Sequence, residues 1–325
     1  MKLVTFEEPY YRNERLGLWI ENTIIDLNYA HGRMLKDQGD DYPERFADAY
    51  APSNMTAFLQ GGPKCMSAAR ETENFAKGTR NLQGPNEEKA VFDISQVRLK
   101  APIPRPGKII HTAGNFREHA KEGSDSGWEF PMPHWISFLK SPSAVIGHEE
   151  KVVHPTYTKM LDHEIELAIV IGKKSKRLTK EQAWDAISGF TIFNDITARD
   201  IQKEEMKSGL LNFGKNMDTF ALFGPCFVPK EDIGNVQNLK IECRVNGEIR
   251  QSSNTNHLSV TVPEIVEHYS WVTLYPGDII TTGTVSGVAA FRKDPEKYFL
   301  KPGDVLESEI ENVGVLRNYI VAEEQ

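Results

Sequence analysis

The sequence predicts a mixed α/β fold dominated by β-structure, with a small α+β unit ahead of a larger strand-rich one. Three observations carry this reading. Residues 1–80 combine a few short strand patterns with two helical stretches. A stiff segment follows, Pro102-Ile103-Pro104-Arg105-Pro106-Gly107, in which proline fixes φ. Beyond it the chain becomes a series of short apolar runs divided by Gly and Pro, without the regular strand–helix alternation of a doubly wound sheet. The expected division is a small N-terminal domain over 1–80, a linker over 81–106 and the main domain over 107–325.

In chain order, Leu3–Phe6, Leu16–Glu21 and Thr23–Leu27 read as strands, the last two joined by a tight turn at Glu21-Asn22. Helical patterns cover Pro43–Leu59 and Lys64–Lys77, separated by the breaker Gly61-Gly62-Pro63. In the main domain, Lys240–Val245, Asn246-Gly247 and Glu248–Gln251 form a hairpin, because Asn-Gly suits a type I′ turn. Pro276-Gly277-Asp278 and Pro302-Gly303-Asp304 are turns that each launch an apolar strand. Three helices are expected here: one near His119, one over Thr197–Lys207 and one over Pro263–Val272.

A chain of 325 residues buries a core large enough to need no covalent staples. The net charge of -8 argues against nucleic acid, whose phosphates are held by clustered Lys and Arg. Cys65, Cys226 and Cys243 are widely spaced with no CxxC pair, which fits a reducing compartment and offers neither disulfide framework nor zinc site. The opening Met1-Lys2-Leu3-Val4-Thr5-Phe6 meets Glu7 and Glu8 at once, unlike a signal peptide, and the longest apolar runs are too short to span a bilayer. A cytoplasmic protein without membrane contact is expected.

The most informative segment is Leu161-Asp162-His163-Glu164-Ile165-Glu166-Leu167-Ala168-Ile169-Val170-Ile171. Strand periodicity sends Glu164 and Glu166 to one face, at the entrance of a run apolar on both faces. Two such like charges repel unless water or a cation compensates them; an ExE pair alone is more often a solvated strand end. Gly189-Phe190-Thr191-Ile192-Phe193-Asn194-Asp195 is a second strand ending in a carboxylate, with Thr197 placed to cap the helix that follows and Gly209 to stop it. An all-oxygen set of this kind suits Mg²⁺ or Mn²⁺, with Ca²⁺ as a further candidate. Asp162 shares the parity of Glu164 and Glu166, so spacing leaves it open as a ligand.

With these segments in hand, the sequence resembles the fumarylacetoacetate hydrolase family, including its acylpyruvate- and fumarylpyruvate-hydrolase-like and 2-hydroxyhepta-2,4-diene-1,7-dioate-isomerase-like members. The resemblance runs from about Gly107 to Val321. It rests on six blocks in the family's order: Gly114-Asn115-Phe116-Arg117-Glu118-His119-Ala120-Lys121-Glu122, Phe138-Leu139-Lys140-Ser141-Pro142-Ser143-Ala144, Asp162-His163-Glu164-Ile165-Glu166-Leu167, Asn194-Asp195-Ile196-Thr197-Ala198-Arg199-Asp200-Ile201-Gln202, Gly214-Lys215-Asn216-Met217-Asp218 and Gly277-Asp278-Ile279-Ile280-Thr281-Thr282-Gly283-Thr284. It implies a distorted β-roll catalytic domain, a homodimer, and Glu164, Glu166 and Asp195 as metal ligands, with Asp162 excluded. His119 and Glu122 match the family's general-base pair, and their i, i+3 spacing puts both on one helix face. By the same analogy Lys140 is catalytic, and Gln202, Lys215 and Thr284 contact the substrate.

Two positions depart from the family: Phe116 stands where many relatives have Tyr, and Ala113-Gly114 where some acylpyruvate-cleaving relatives place Gly and Arg. The activity implied is hydrolysis of a carbon–carbon bond in a 2,4-dioxo acid through a metal-stabilised enolate. The alternative is decarboxylation, hydration or isomerisation of a dicarboxylic 2-oxo acid on the same scaffold. The glycine-bearing stretch after His119, together with Trp128, Phe130, Met132, Pro133 and Trp135, is expected to form a lid over bound ligand.

Overall fold

The computed structural model describes residues 1–125 and 136–324. Its centre is the strand Ile165–Ile171, buried at every position, as its two-faced apolar sequence requires. It pairs antiparallel with Ile187–Asp195 on one side and with Ile279–Thr281 on the other. From Ile279–Thr281 the sheet continues through Ile109–Ala113 to Ile136–Lys140. In the other direction Ile187–Asp195 pairs with Ala221–Pro229.

That strand in turn meets Leu3–Glu7 in the register Leu3↔Phe227. The front strands Leu3–Glu7, Glu14–Ile20 and Thr23–Asp26 therefore extend the central sheet. Residues 81–106, expected as linker, also contribute strands: Val91–Asp93 pairs with Thr23–Asp26, and Arg98–Leu99 with Leu3–Glu7. The reason is apolar burial. Phe92 packs its ring 5.5 Å from Phe6, and Leu99 is 6% exposed.

A second sheet, ordered Glu248–Asn254, Lys240–Val245, Val305–Ile310, Gly314–Ala322 and Lys151–His154, stacks against the first. Its inward residues Ile241, Cys243, Leu306, Ile310 and Leu316 share one core with Ile165, Ile192 and Leu222 of the central sheet. The two layers form the strand-rich mixed roll that the sequence predicts. The hairpin turn has φ of +52° at Asn246 and +80° at Gly247, as a type I′ turn demands.

Helices differ from expectation in four places. Leu27–Asp37 is a helix that begins directly after its strand, because Asp26 caps it by accepting from the Tyr29 N–H (2.9 Å). The stretch Pro43–Leu59 is two helices, Pro43–Tyr50 and Met55–Gly61, the second capped by Asn54. Lys180–Ala186 is an unforeseen helix closed by a Thr179/Gln182 capping box. Finally, Thr197 is no helix cap. Thr197-Ala198 pairs as a short strand with Leu161-Asp162, the Thr197 hydroxyl donates to the Asp195 carbonyl (2.9 Å), and the helix starts at Arg199. No helix among the described residues is long and apolar enough to cross a membrane.

Candidate active site

The register Ile165↔Asn194 brings the start of one central strand beside the end of its neighbour. The Asp195 N–H donates to the Glu164 carbonyl (2.8 Å) and the Glu164 N–H to Asn194 Oδ1 (2.9 Å), so Glu164 and Asp195 are locked side by side. Glu166 lies two residues along on the same face as Glu164 and accepts from the Gly283 N–H (3.1 Å). His111, on the adjoining part of the sheet, places Nδ1 3.5 Å from Glu166 Oε2 and 3.7 Å from Asp195 Oδ2. All four side chains are buried.

Buried cations face these carboxylates. Lys215 bridges Glu164 Oε2 (2.8 Å) and Asp195 Oδ2 (2.7 Å). Lys140 donates to Asp195 Oδ1 and to the Ile196 carbonyl (3.1 Å). Arg199 reaches Glu164 Oε1 (2.6 Å) and Asp162 Oδ2 (2.8 Å). Burial alone would push the Asp195 carboxyl up, but Lys140, Lys215 and His111 outweigh it and hold the group well below its ordinary value. Burial brings the Lys140 ammonium down to about 8, since Asp195 compensates only in part and Lys215 repels it. Burial acts the same way on Lys215, but there Asp195 and Glu164 prevail and the group is raised.

Asp162, which spacing left open, is spoken for. Besides Arg199 it accepts from the backbone N–H groups of His163 (2.8 Å), Ala289 (2.8 Å) and Ala290 (3.0 Å). Its oxygens are saturated, and it serves to hold Arg199. The described cluster thus sets four buried carboxylates, Asp162 among them, against three basic side chains, Lys140, Arg199 and Lys215. The excess negative charge and the oxygen-rich donors of Glu164, Glu166 and Asp195 fit a divalent cation such as Mg²⁺ or Mn²⁺.

A cavity of about 260 Å³ opens onto Glu164 and Glu166. His119, Arg199, Gln202, Lys215 and Thr284 line its polar side, and Ile136, Phe138, Met206, Leu210 and Leu211 its apolar side. His119 Nδ1 is 3.3 Å from Glu122 Oε2, and both Glu122 oxygens accept from the Gly287 N–H (3.0 and 3.1 Å). The acid is therefore fixed before it orients the imidazole. Of the residues expected from sequence, Lys140 and Asp195 act from behind the cavity wall and Glu122 from beside it.

Gln202 Oε1 accepts from Arg199 Nη1 (2.9 Å). Thr284 donates to the Ile165 carbonyl (2.9 Å) and accepts from Gln251 Nε2 (2.9 Å). Gln251 was not foreseen. It is buried and also takes hydrogen bonds at Oε1 from the Ile165 N–H (3.1 Å) and His163 Nδ1 (3.0 Å), so one amide positions the start of the carboxylate strand and the Thr284 hydroxyl. Its place in an ordinary hairpin strand gave no sign of this. His111 was missed too, since a lone His among Ile109, Ile110 and Thr112 reads as core.

Phe116, at the start of the expected lid, is fully buried and bridges to Leu258. The helix Arg117–Asp125 is tied down through Glu118, which holds Ser253 and His257. The remaining lid residues, with Trp128, Phe130, Met132, Pro133 and Trp135, lie outside the described residues.

The chain is similar to known proteins. The C-terminal domain of fumarylacetoacetate (FAA) hydrolase matches residues 108–321. Oxaloacetate tautomerase YisK of Bacillus subtilis is 39% identical over 327 residues, covering 98% of this chain and 100% of its own. The mitochondrial oxaloacetate tautomerase Fahd2a of Rattus norvegicus is 37% identical over 324 residues, covering 99% of this chain and 92% of its own. Among solved structures, maleylpyruvate hydrolase from Sphingobium sp. SYK-6, in complex with manganese(II) and pyruvate, superposes with a TM-score of 0.72 at 28% identity over 100% of both chains. Family match and fold agree, and the chain belongs to the fumarylacetoacetate hydrolase family.

Proposed function

We propose that this chain is a divalent-metal-dependent tautomerase of a dicarboxylic 2-oxo acid, interconverting the enol and keto forms of oxaloacetate. The observation that carries the reading is a single cavity lined both by Glu164 and Glu166 of the carboxylate cluster and by His119, whose imidazole pairs with Glu122. The full-length likeness to oxaloacetate tautomerases favours this substrate. A bound Mg²⁺ or Mn²⁺, held by Glu164, Glu166 and Asp195, would supply Lewis acidity toward the substrate's oxygens.

The chain's own residues do the rest. Arg199 and Gln202 present N–H donors to a substrate carboxylate. His119, oriented through Nδ1 by Glu122, exchanges a proton at Nε2: the enol O–H at C2 gives one up and C3 receives one, so the net change is a hydrogen shift. Lys140 fixes Asp195 from behind. The same proposal includes a homodimer and a cytoplasmic location.

A second reading, hydrolysis of an acylpyruvate between C3 and C4, is favoured by the apolar wall of Ile136, Phe138, Met206, Leu210 and Leu211, which suits an acyl chain. Following the loss of enol absorbance of oxaloacetate, beside a panel of acylpyruvates, separates the two. The expected result is fast, chelator-sensitive ketonisation that Mn²⁺ restores. His119→Gln lowers kcat by about 10²–10⁴-fold, the usual worth of a positioned acid–base group. Acylpyruvate cleavage without enol turnover would replace the first reading by the second.

A further inference from the structure

We infer that His111 is a nitrogen ligand of the metal, and that it biases this centre toward Mn²⁺ and later first-row ions over Mg²⁺ and Ca²⁺. The inference rests on the metal-dependent reading above and adds a donor that the carboxylate pattern does not contain. His111, Glu166 and Asp195 are the three described side chains of metal-ligating type whose donor atoms converge, all within 4.8 Å of one another.

The distances carry the case. Separations of 3.5 Å from Nδ1 to Glu166 and 3.7 Å to Asp195 are too long for hydrogen bonds. Bonds of about 2.1 Å to one ion set adjacent donors roughly 3.0–3.4 Å apart, so a shift of a few tenths of an ångström brings Nδ1 to ligand spacing from each carboxylate, and the three donor atoms already lie within 4.8 Å of one another. The ring is also held in place. It stacks on Phe138 at 4.7 Å and 14° and meets Phe193 edge-on at 5.0 Å. An imidazole fixed between two aromatic rings beside two carboxylates is preorganised for an ion.

Glu164 is engaged differently, by Arg199 and Lys215, and Lys215 also reaches Asp195 Oδ2, the oxygen that faces His111. Thr281 Oγ1 lies 2.9 Å from the same Nδ1. Ligation and this hydrogen bond exclude each other, and an experiment can tell them apart. Softer imidazole donors favour transition ions, whereas carboxylate, carbonyl and water suit Mg²⁺ and Ca²⁺.

The test uses the whole protein loaded with Mn²⁺ and reads the metal's electron spin echo. Directly bound nitrogen should appear as ¹⁴N modulation that converts to ¹⁵N modulation when histidine is isotopically labelled. It should persist in His119→Gln and vanish in His111→Gln. In His111→Gln the Mn²⁺ affinity should fall roughly tenfold or more relative to that for Mg²⁺, the scale of loss for groups that tune a metal site. If His111→Gln fails to fold, the labelled wild type and His119→Gln decide alone. Mn²⁺ bound without nitrogen modulation overturns the inference while leaving the metal reading intact. No Mn²⁺ binding by the wild type overturns both.

Discussion

Asp162 and Asp195 are equally buried and both meet cations, but their surroundings give them different work. Asp162 is enclosed by Arg199 and three backbone N–H groups, whereas Asp195 Oδ2 also faces His111. Asp162→Ala should therefore cost about 3–5 kcal/mol of stability, the usual result of stranding a buried partner charge, here Arg199, while the protein still binds Mn²⁺. Urea unfolding and a metal titration on one sample check both halves. Abolished Mn²⁺ binding in a folded variant would return Asp162 to the ligand set. At this scale the sequence was legible wherever chemistry repeats in local patterns. Strand parity and a strand end single out Glu164, Glu166 and Asp195 as candidates beside Asp162, and it is the family resemblance of the surrounding blocks that names the first three as expected ligands. His111 and Gln251 gain their importance from strands far away in sequence, across the sheet or between the two sheets, and nothing within a few residues of either one announces it.

At the level of elements, capping decided what the sequence could reveal. Asp26 both ends a β-branched strand and starts a helix, and the run Thr23-Ile24-Ile25 masks the cap. The helices Lys180–Ala186 and Val262–Tyr269 are coupled by Lys180 to Glu264 (2.7 Å), and Glu264 also accepts from the N–H (2.7 Å) and hydroxyl (2.6 Å) of Thr261. The Lys180 and Thr261 hydrogen bonds lower the Glu264 carboxyl from 4.5 to about 2. A carboxyl depressed on folding contributes stability above its unfolded value and loses it as pH falls through the folded one. The stability advantage of wild type over Glu264→Gln should be constant above about 4.5 and shrink as pH falls toward about 2. Denaturant midpoints across that range measure it, and a pH-independent difference would show that the carboxylate charge is idle.

For the whole molecule, the expected division at residues 80 and 106 is best proposed as one of function rather than of folding. No residue before Thr112 lines the described cavity, yet Leu3, Leu16, Leu18 and Phe58 pack in one core with Phe223 and Phe227 of the central sheet. Removing residues 1–80 would strip both the core cover and the neighbouring strand from Ala221–Pro229, leaving an apolar edge open to pairing with other chains. A fragment beginning near residue 102 should elute as aggregate in size-exclusion chromatography. A well-behaved, Mn²⁺-binding fragment would instead establish an independent domain. Sequence texture distinguishes two parts by composition but could not show that their strands share a sheet, because strand partners far apart in sequence leave no local mark.

The three cysteines sit in three different layers: Cys65 among the front helices, Cys226 in the junction strand and Cys243 in the second sheet, each no more than 1% exposed. Burial raises all three thiols, Cys226 and Cys243 to about 12, so almost no reactive thiolate exists in the folded chain near neutrality. The molecule thereby carries its own clocks for opening. Under a pulse of alkylating reagent, Cys226 and Cys243 should label together at the rate of global unfolding, whereas any earlier labelling of Cys65 would time the separate loosening of the front helices. Mass spectrometry of the three peptides reads all three at once, and early modification of Cys243 ahead of the other two would place the weakest seam in the second sheet.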